Sequence, residues 1–385
     1  MTLRLSLMQA LTFLGLGIFV PFFPVWLNAR GLGDFAVGFV MAIPAIVRVL
    51  ASAPVTALAD RHITASHLLV ILNLVVMAGY LLLWPLRDVW SITFVMIALS
   101  VAFSGIIPLS DVITSAAVRE HGVHYGRVRL WGSVAFMLAT LAGGSLLTQL
   151  GDASIPLVLA ACAALAALGA AIVPRFDVRQ IPAATPNDAA PATFSRAFWL
   201  MVAASACVQA SHGALYTFST LHWRGLGFGD TTIGLFWAIG IALEIALFAF
   251  AGGIVARGTA GLRWIAFGAV AAILRFGLMP FEPGLWGTLA LQASHAITFG
   301  MTHLGVIAAI SVLAPESRRG AAQGRLTAAQ ALANSAAMLG SGLIYAKVGG
   351  LVFLAMVPLA LAGLVFALLA MRQIRQEPRQ PQSEA

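Results

Sequence analysis

Charge is scarce in this 385-residue chain and lysine almost absent: charged side chains make up 9% of it, and Lys347 is the one lysine among 22 basic residues. A soluble domain carries about 25% charged residues, so this scarcity beside 60% hydrophobic residues excludes one. A formal charge of +8 raises the question of a nucleic-acid partner. The basic residues, however, fall in alternate loops and form no patch, which excludes that reading. Cysteine is scarce too, and Cys162 and Cys207 each sit in an apolar run, so no disulfide framework is expected. Metal-site spacing is missing as well: His295 and His303 stand about 80° apart round a helix, with no Cys or acidic neighbour in sequence. No nucleophile-base pair is legible, which argues against an enzyme. Neither a metal nor a cofactor is expected.

What is present is apolar length. Runs of about 20 residues, enough to cross a bilayer, occur twelve times: 4–27, 35–59, 67–86, 91–118, 128–150, 155–174, 197–222, 231–256, 261–280, 285–313, 323–347 and 350–371. Residues 1–28 are too long for a signal peptide and lack a small-residue cleavage site, so they read as the first span. Between spans six and seven, Pro182, Pro186 and Pro191 interrupt a stretch without a helical stripe. The expectation is an all-α membrane protein with a six-helix bundle at 1–174, a cytoplasmic linker at 175–195, a second bundle at 196–371 and a cytoplasmic tail at 372–385.

Sixteen basic residues fall in loops on the side of the two termini, and only Arg30, Arg87, Arg224 and Lys347 fall on the other. Cytoplasmic loops retain Arg and Lys, so both termini are expected inside. Arg48 and Arg275 remain, and both lie within spans.

The halves repeat one another. Arg30-Gly31-Leu32-Gly33 recurs as Arg224-Gly225-Leu226-Gly227, followed by Gly38 or Gly234 and then by Ala42-Ile43 or Ala238-Ile239. In that frame Arg48 of one half and Glu244 of the other share a position. Gly126-Arg127 likewise opens span five as Gly324-Arg325 opens span eleven. Paired repeats with ionisable groups at membrane depth are a construction of secondary transporters. Spans six and twelve are almost wholly apolar and are expected to face lipid.

Arg48 lies about 20 Å into a core about 30 Å thick, and Glu244 is as deep. An unpaired charge there costs about 3 kcal/mol. A structural ion pair is the plain alternative to a role in substrate or proton handling. Arg275 lies nearer the outer surface, where snorkelling competes with function. Ser104, Pro108, Asp111 and Ser115 draw a polar face on span four, with Asp111 serving either a proton or a neighbouring Arg. Spans seven and ten each contain Gln-Ala-Ser-His, extended to Gln209, His212, Tyr216 and Ser219, and to Gln292, His295, Phe299 and His303. Spacings of three and four put each set on one face, and two such stripes read as a binding wall rather than as packing.

Twelve spans, a central linker and Ala59-Asp60-Arg61 after span two resemble the major facilitator superfamily. Pro21-Phe22, Arg48, Pro108-Leu109 with Asp111, and Tyr125-Gly126-Arg127-Val128-Arg129-Leu130-Trp131-Gly132-Ser133 resemble its phenylpropionate permease and proton-symporter group, as do Glu244, Arg275, His295 and His303. The superfamily's loop signature usually begins with Gly, where this chain has Thr56. The resemblance implies a monomer in the bacterial inner membrane that takes up a small aromatic carboxylate with a proton, driven by the proton gradient. It implies substrate contacts at Arg48, Gln209, His212, Tyr216, Arg275, Gln292, His295 and Phe299, proton coupling at Glu244, Asp111 or His303, and gating at Asp60, Arg61 and Arg127. A nucleoside or sugar symporter and a drug or metabolite exporter of the same fold remain as alternatives.

Overall fold

The computed structural model describes residues 1–61, 63–174, 176, 194–251 and 260–376, without the side chains of positions 60, 61 and 251. Among these residues the secondary structure is helical throughout. Six long helices form the first half: α1 (Thr2–Ala29), α2 (Asp34–Arg61), α3 (Ala65–Leu83), α4 (Val89–His121), α5 (Tyr125–Leu150) and α6 (Ile155–Ala171). The second half comprises α7 (Arg196–Ala210), α8 (Gly213–Gly225), α9 (Asp230–Ala251), α10 (Ala260–Leu278), α11 (Gly284–Ala293), α12 (Thr302–Leu313), α13 (Arg319–Val348) and α14 (Val357–Gln376).

Eleven helical stretches among the described residues are long and apolar enough to cross a membrane. One of them, Glu316–Gln376, has 61 residues. At 1.5 Å per residue it would extend about 90 Å as one rod, three times the hydrocarbon thickness. It instead contains α13 and α14, separated by 3-10 turns at Gly349–Met356 that begin where Gly349 adopts a φ of 55°. Twelve crossings result, as the sequence predicts, with span twelve starting later than its apolar run suggests. The expected linker lies almost wholly outside the described residues.

Several ends follow from local chemistry. Thr64, Asp88 and Ser195 cap α3, α4 and α7 by accepting backbone N–H bonds from His67, Ser91 and Phe198. The Ser91 backbone N–H bond holds the exposed Asp88 carboxyl below the usual range, helped by the Ser91 hydroxyl. Gly122 closes α4 in the left-handed region, φ 64°.

The two halves pack by the same scheme. The α3–α6 contact of the first half is matched by α10–α14, and α1–α6 by α7–α14. Between halves the main seams are α2 on α13 and α5 on α9, which the repeat exchanges. Both seams rely on glycine. A Cβ on Gly342 would fall 2.9 Å from the Asp34 carbonyl oxygen, and one on Gly38 2.8 Å from that of Met338. Across the other seam, a Cβ on Gly234 would fall 2.8 Å from the Thr140 oxygen, and one on Gly144 would strike the Asp230 carbonyl.

Every side-chain bond between halves among the described residues lies at this same end: Ser335 to the Ala42 carbonyl, Ser145 with Thr231, and Arg224 to Asp152. The larger apolar core runs through the first half and across this end into the second, through Leu215, Phe218, Phe236 and Trp237. A separate core, around Phe198, Ile265, Val306 and Leu326, fills the opposite end of the second half alone. The halves are therefore joined at the end carrying Asp34 and Asp230 and part toward the other.

Gly342→Val should lower the melting temperature of the detergent-purified protein, by about 1–3 kcal/mol of stability, because the added methyls meet backbone. Gly340→Val, on the same helix but with nothing within 4 Å of its Cβ, should stay near wild type. Equal melting temperatures for the two would show that the seam is loosely packed.

Candidate functional site

The two Gln-Ala-Ser-His segments break their spans in the same way. In each, the α-helix stops at the Ala (Ala210, Ala293). The Ser hydroxyl turns back to donate to a carbonyl three residues earlier, Ser211 to Val208 and Ser294 to Leu291, both at 2.6 Å. Such back-bonding competes with the helical ladder. After Ser211 the chain resumes as α8; after Ser294 it passes through a π-helical turn, Ala296–Met301, before α12. The π turn corrects the picture of a regular stripe on span ten. Broken helices at membrane depth and π turns both gather at functional positions.

The breaks bring the two histidines together, with ring centroids 5.5 Å apart. His212 is fully buried: its Nδ1 lies 3.0 Å from the Val208 carbonyl, to which it donates, and its Nε2 lies 3.0 Å from Thr298 Oγ1. Thr298 also accepts from Arg275 Nη1 at 3.2 Å. Arg275 is 1% exposed and reaches Gln292 Oε1 at 2.7 Å and His295 Nδ1 at 3.0 Å. Full burial overturns the snorkelling alternative for Arg275. A guanidinium has no acceptor, so His295 Nδ1 must accept, and the ring proton of neutral His295 sits on Nε2. That nitrogen faces Glu244 Oε2 at 3.7 Å, with 16% of the Glu244 side chain exposed. A chain Glu244–His295–Arg275–Thr298–His212 thus runs through α9, the π turn, α10 and the α7–α8 break. Two of its donors, Arg275 Nε and Gln292 Nε2, are buried without a partner.

Aromatic rings extend the cluster. Phe299 stacks between His295 and His303 at 5.2 and 6.2 Å, and Tyr216 between His212 and Trp237 at 5.9 and 6.2 Å. His303 is exposed and meets Phe248, not Glu244. Gln209 is half-buried and makes no side-chain hydrogen bond among the described residues.

Arg48 stands apart from all of this. It projects into a crevice of the first half walled by Leu16 and Phe19 of α1, Pro44 of α2, Val76 and Tyr80 of α3, and Met96, Leu99, Ser100 and Phe103 of α4. The crevice encloses about 50 Å³. Among the described residues Arg48 has neither an ion-pair nor a hydrogen-bond partner, and its side chain is exposed. The structural ion pair with Glu244 weighed from the sequence is not formed.

Asp111 pairs with Arg129 at 3.8 Å and accepts from Tyr125 Oη at 3.1 Å and Gln9 Nε2 at 3.4 Å. Arg127 is exposed at the start of α5. The side chains of Asp60 and Arg61 lie outside the described residues. Sequence reasoning missed Thr298, which joins Arg275 to His212; its position three residues after His295 was the available signal. It also missed Tyr80 and Ser100, whose neighbourhood with Arg48 arises from packing of three helices and left no local signal.

Comparison with known proteins supplies the family. A model described as the MFS_1 like family matches residues 2–357. The chain belongs to that family. It is therefore a major facilitator superfamily transporter and not an enzyme, a multi-pass membrane protein of a kind that binds small-molecule substrates within the bilayer. It is 29% identical over 362 residues to a probable 3-phenylpropionic acid transporter of Escherichia coli (strain K12), covering 91% of this chain and 92% of the relative. It is 27% identical over 308 residues to a maltose permease of Geobacillus stearothermophilus, covering 80% and 78%. Among solved structures it superposes on the nucleoside transporter NupG with a TM-score of 0.80 at 16% identity, covering 98% and 99% of the two chains. It superposes on a bacterial homologue of the human lysosomal transporter Spinster with a TM-score of 0.69 at 15% identity, over 99% and 98%. At such identities the likeness is one of fold.

Thr298→Val should cost about 1–3 kcal/mol of stability, since it keeps the shape but leaves His212 Nε2 unpaired and takes one acceptor from Arg275. Arg48→Met, which removes a cation that has no partner, should be neutral or stabilising. Thermal unfolding of the two purified variants checks both, and an unaltered Thr298→Val would dissolve the chain of contacts.

Proposed function

We propose that this transporter carries a small aromatic carboxylate together with a proton. The observation that carries the reading is Arg48: a guanidinium held at membrane depth among apolar and aromatic side chains with no anion of its own. At that depth such a charge must be met by water or by an anion. A solute carboxylate matches guanidinium bidentately, and Arg stays charged at any working pH. The crevice has room on the scale of a few water molecules, which suits a carboxylate and its first carbons. The aromatic ring would then lie outside it, against Phe19, Tyr80 and Phe103, with Tyr216 and Phe299 of the second half as the opposing wall. The name borne by the Escherichia coli relative agrees with this chemistry.

Glu244 is the proposed proton carrier. It is the acid nearest the second half's cluster, it is partly open to solvent, and its one ion-pair contact among the described residues is with a histidine whose Nδ1 is already committed to Arg275. Protonated, Glu244 would donate to solvent or solute; ionised, it would accept from His295 Nε2. Arg275 is proposed as a positioning residue that fixes that ring, not as a direct contact. The nucleoside or sugar reading is weaker, because His295, Thr298 and His212 spend most of their hydrogen-bonding capacity on one another and on Arg275. No cofactor beyond the proton gradient is invoked. A monomer in the bacterial inner membrane, with both termini cytoplasmic, completes the proposal.

Uptake of labelled 3-phenylpropionate into proteoliposomes under an imposed pH gradient tests it. Arg48→Lys should fail almost as completely as Arg48→Ala, because a point-charge ammonium loses the planar two-bond contact. Transport unaffected by Arg48→Ala would reject the carboxylate reading.

Glu244→Gln should abolish accumulation driven by pH while leaving exchange of solute down its own gradient, since an amide resembles the protonated acid but releases no proton. Accumulation retained in that variant would move the proton to Asp111, His295 or His303.

A further inference from the structure

The strongest ionic contacts among the described residues lie away from this site, at the end where the halves close. Arg224, in the last turn of α8, gives Nη1 and Nη2 to the two carboxylate oxygens of Asp152 at 2.7 and 2.8 Å. The same guanidinium gives Nε and Nη2 to Asp230 at 2.6 and 2.8 Å. Asp152 belongs to the first half, in the turn after α5 that Gly151 opens at φ 75°. Arg224 and Asp230 belong to the second. Bidentate, charge-assisted bonds of this length are the strong kind. The three side chains are 25%, 30% and 15% exposed, so water screens them only in part.

Duplication does not account for this arrangement. Arg30, the repeat counterpart of Arg224, donates to the Trp84 carbonyl at 2.7 Å within its own half. Asp34, the counterpart of Asp230, has no ion pair among the described residues, and α13 is followed by Gly349 and Gly350 where α5 is followed by Gly151 and Asp152. One seam is therefore held by glycine backbone contact and the Ser335 hydroxyl bond to Ala42, without ions among the described residues, and the other by glycine contact and ions.

We infer that Asp152–Arg224–Asp230 is the latch of the outer gate. It is closed in this state and must part from Asp152 each time that end opens. Asp230 is on the same half as Arg224 and stays with it, so opening exchanges one carboxylate for water and never strands the guanidinium. The strength of the Asp152 contact then sets how much of the protein stands open to the outside. The inference rests on the family's transport activity and on the orientation read from the basic residues, and is independent of the solute.

Ser145, whose hydroxyl meets Thr231 across the seam at 3.3 Å, provides the probe. In a background with Cys162 and Cys207 replaced by Ala, Ser145→Cys is labelled in whole cells with a membrane-impermeant maleimide. Adding Asp152→Asn should speed labelling about tenfold, the change a modest shift in a two-state equilibrium produces. Asp230→Asn should do less, and Arg30→Gln nothing. In the parent with the latch intact, 0.5 M salt should raise labelling, whereas with Asp152→Asn it should have little further effect. A folded Asp152→Asn protein labelled at the parent rate would overturn the inference, as would an Arg30→Gln effect of equal size. An Asp152→Asn protein that fails to fold leaves the salt response to decide: labelling in the parent that salt does not change would also overturn it.

Discussion

Backbone-to-backbone approach at four glycines is the constraint on which the rest of the molecule depends. Lipid tails are as apolar as Leu, so the hydrophobic effect does not press two helical bundles together in a membrane, and close van der Waals packing must. Gly38, Gly342, Gly144 and Gly234 allow that packing along two seams at one end only. The same contacts leave the halves separated toward the other end, where α2 beyond Ile43 is mostly half-buried or exposed and the first turns of α13 are largely exposed. The parting of the halves toward one side is a consequence of where the glycines lie.

Charge is then divided unequally across the repeat. In the second half, Arg275 and Glu244 both meet His295, so a cation and an acid are balanced within one connected set of hydrogen-bonding groups. In the first half, Arg48 is alone in its crevice. A duplicated scaffold thus carries a self-contained polar cluster on one side and, on the other, an exposed cation without an ion-pair partner among the described residues. That asymmetry gives the proposed roles their direction: proton chemistry where the charges are mutually compensated, and anion recognition where they are not.

Much of the fold was legible because bilayer thickness imposes a length that hydropathy reports directly, and the twelve spans and the repeat needed no tertiary information. The ends of helices were less so: the 3-10 turns at Gly349–Met356 are as apolar as the helix that follows them, and nothing in composition separates the two. At the site, Arg48, Glu244 and the two Gln-Ala-Ser-His segments stood out, since polar groups in apolar runs are conspicuous. What the sequence did not disclose was partnership. Asp111 faces Arg129 of its own half, and Arg224 meets an aspartate 72 positions earlier in the chain; such pairs are set by packing at long sequence separation. The identical breaks after Ala210 and Ala293 were hidden for another reason, because a serine in an apolar helix more often bonds back without ending it.

The central claim is that Arg48 awaits an anion. Binding of 3-phenylpropionate and of its primary amide to the purified wild-type protein, measured by titration calorimetry in the same detergent, tests this most directly. The account predicts saturable binding of the acid and at least a tenfold weaker response to the amide, which has the same ring and size but no charge. Equal binding of the two, or binding of maltose or uridine in preference to the acid, would contradict it.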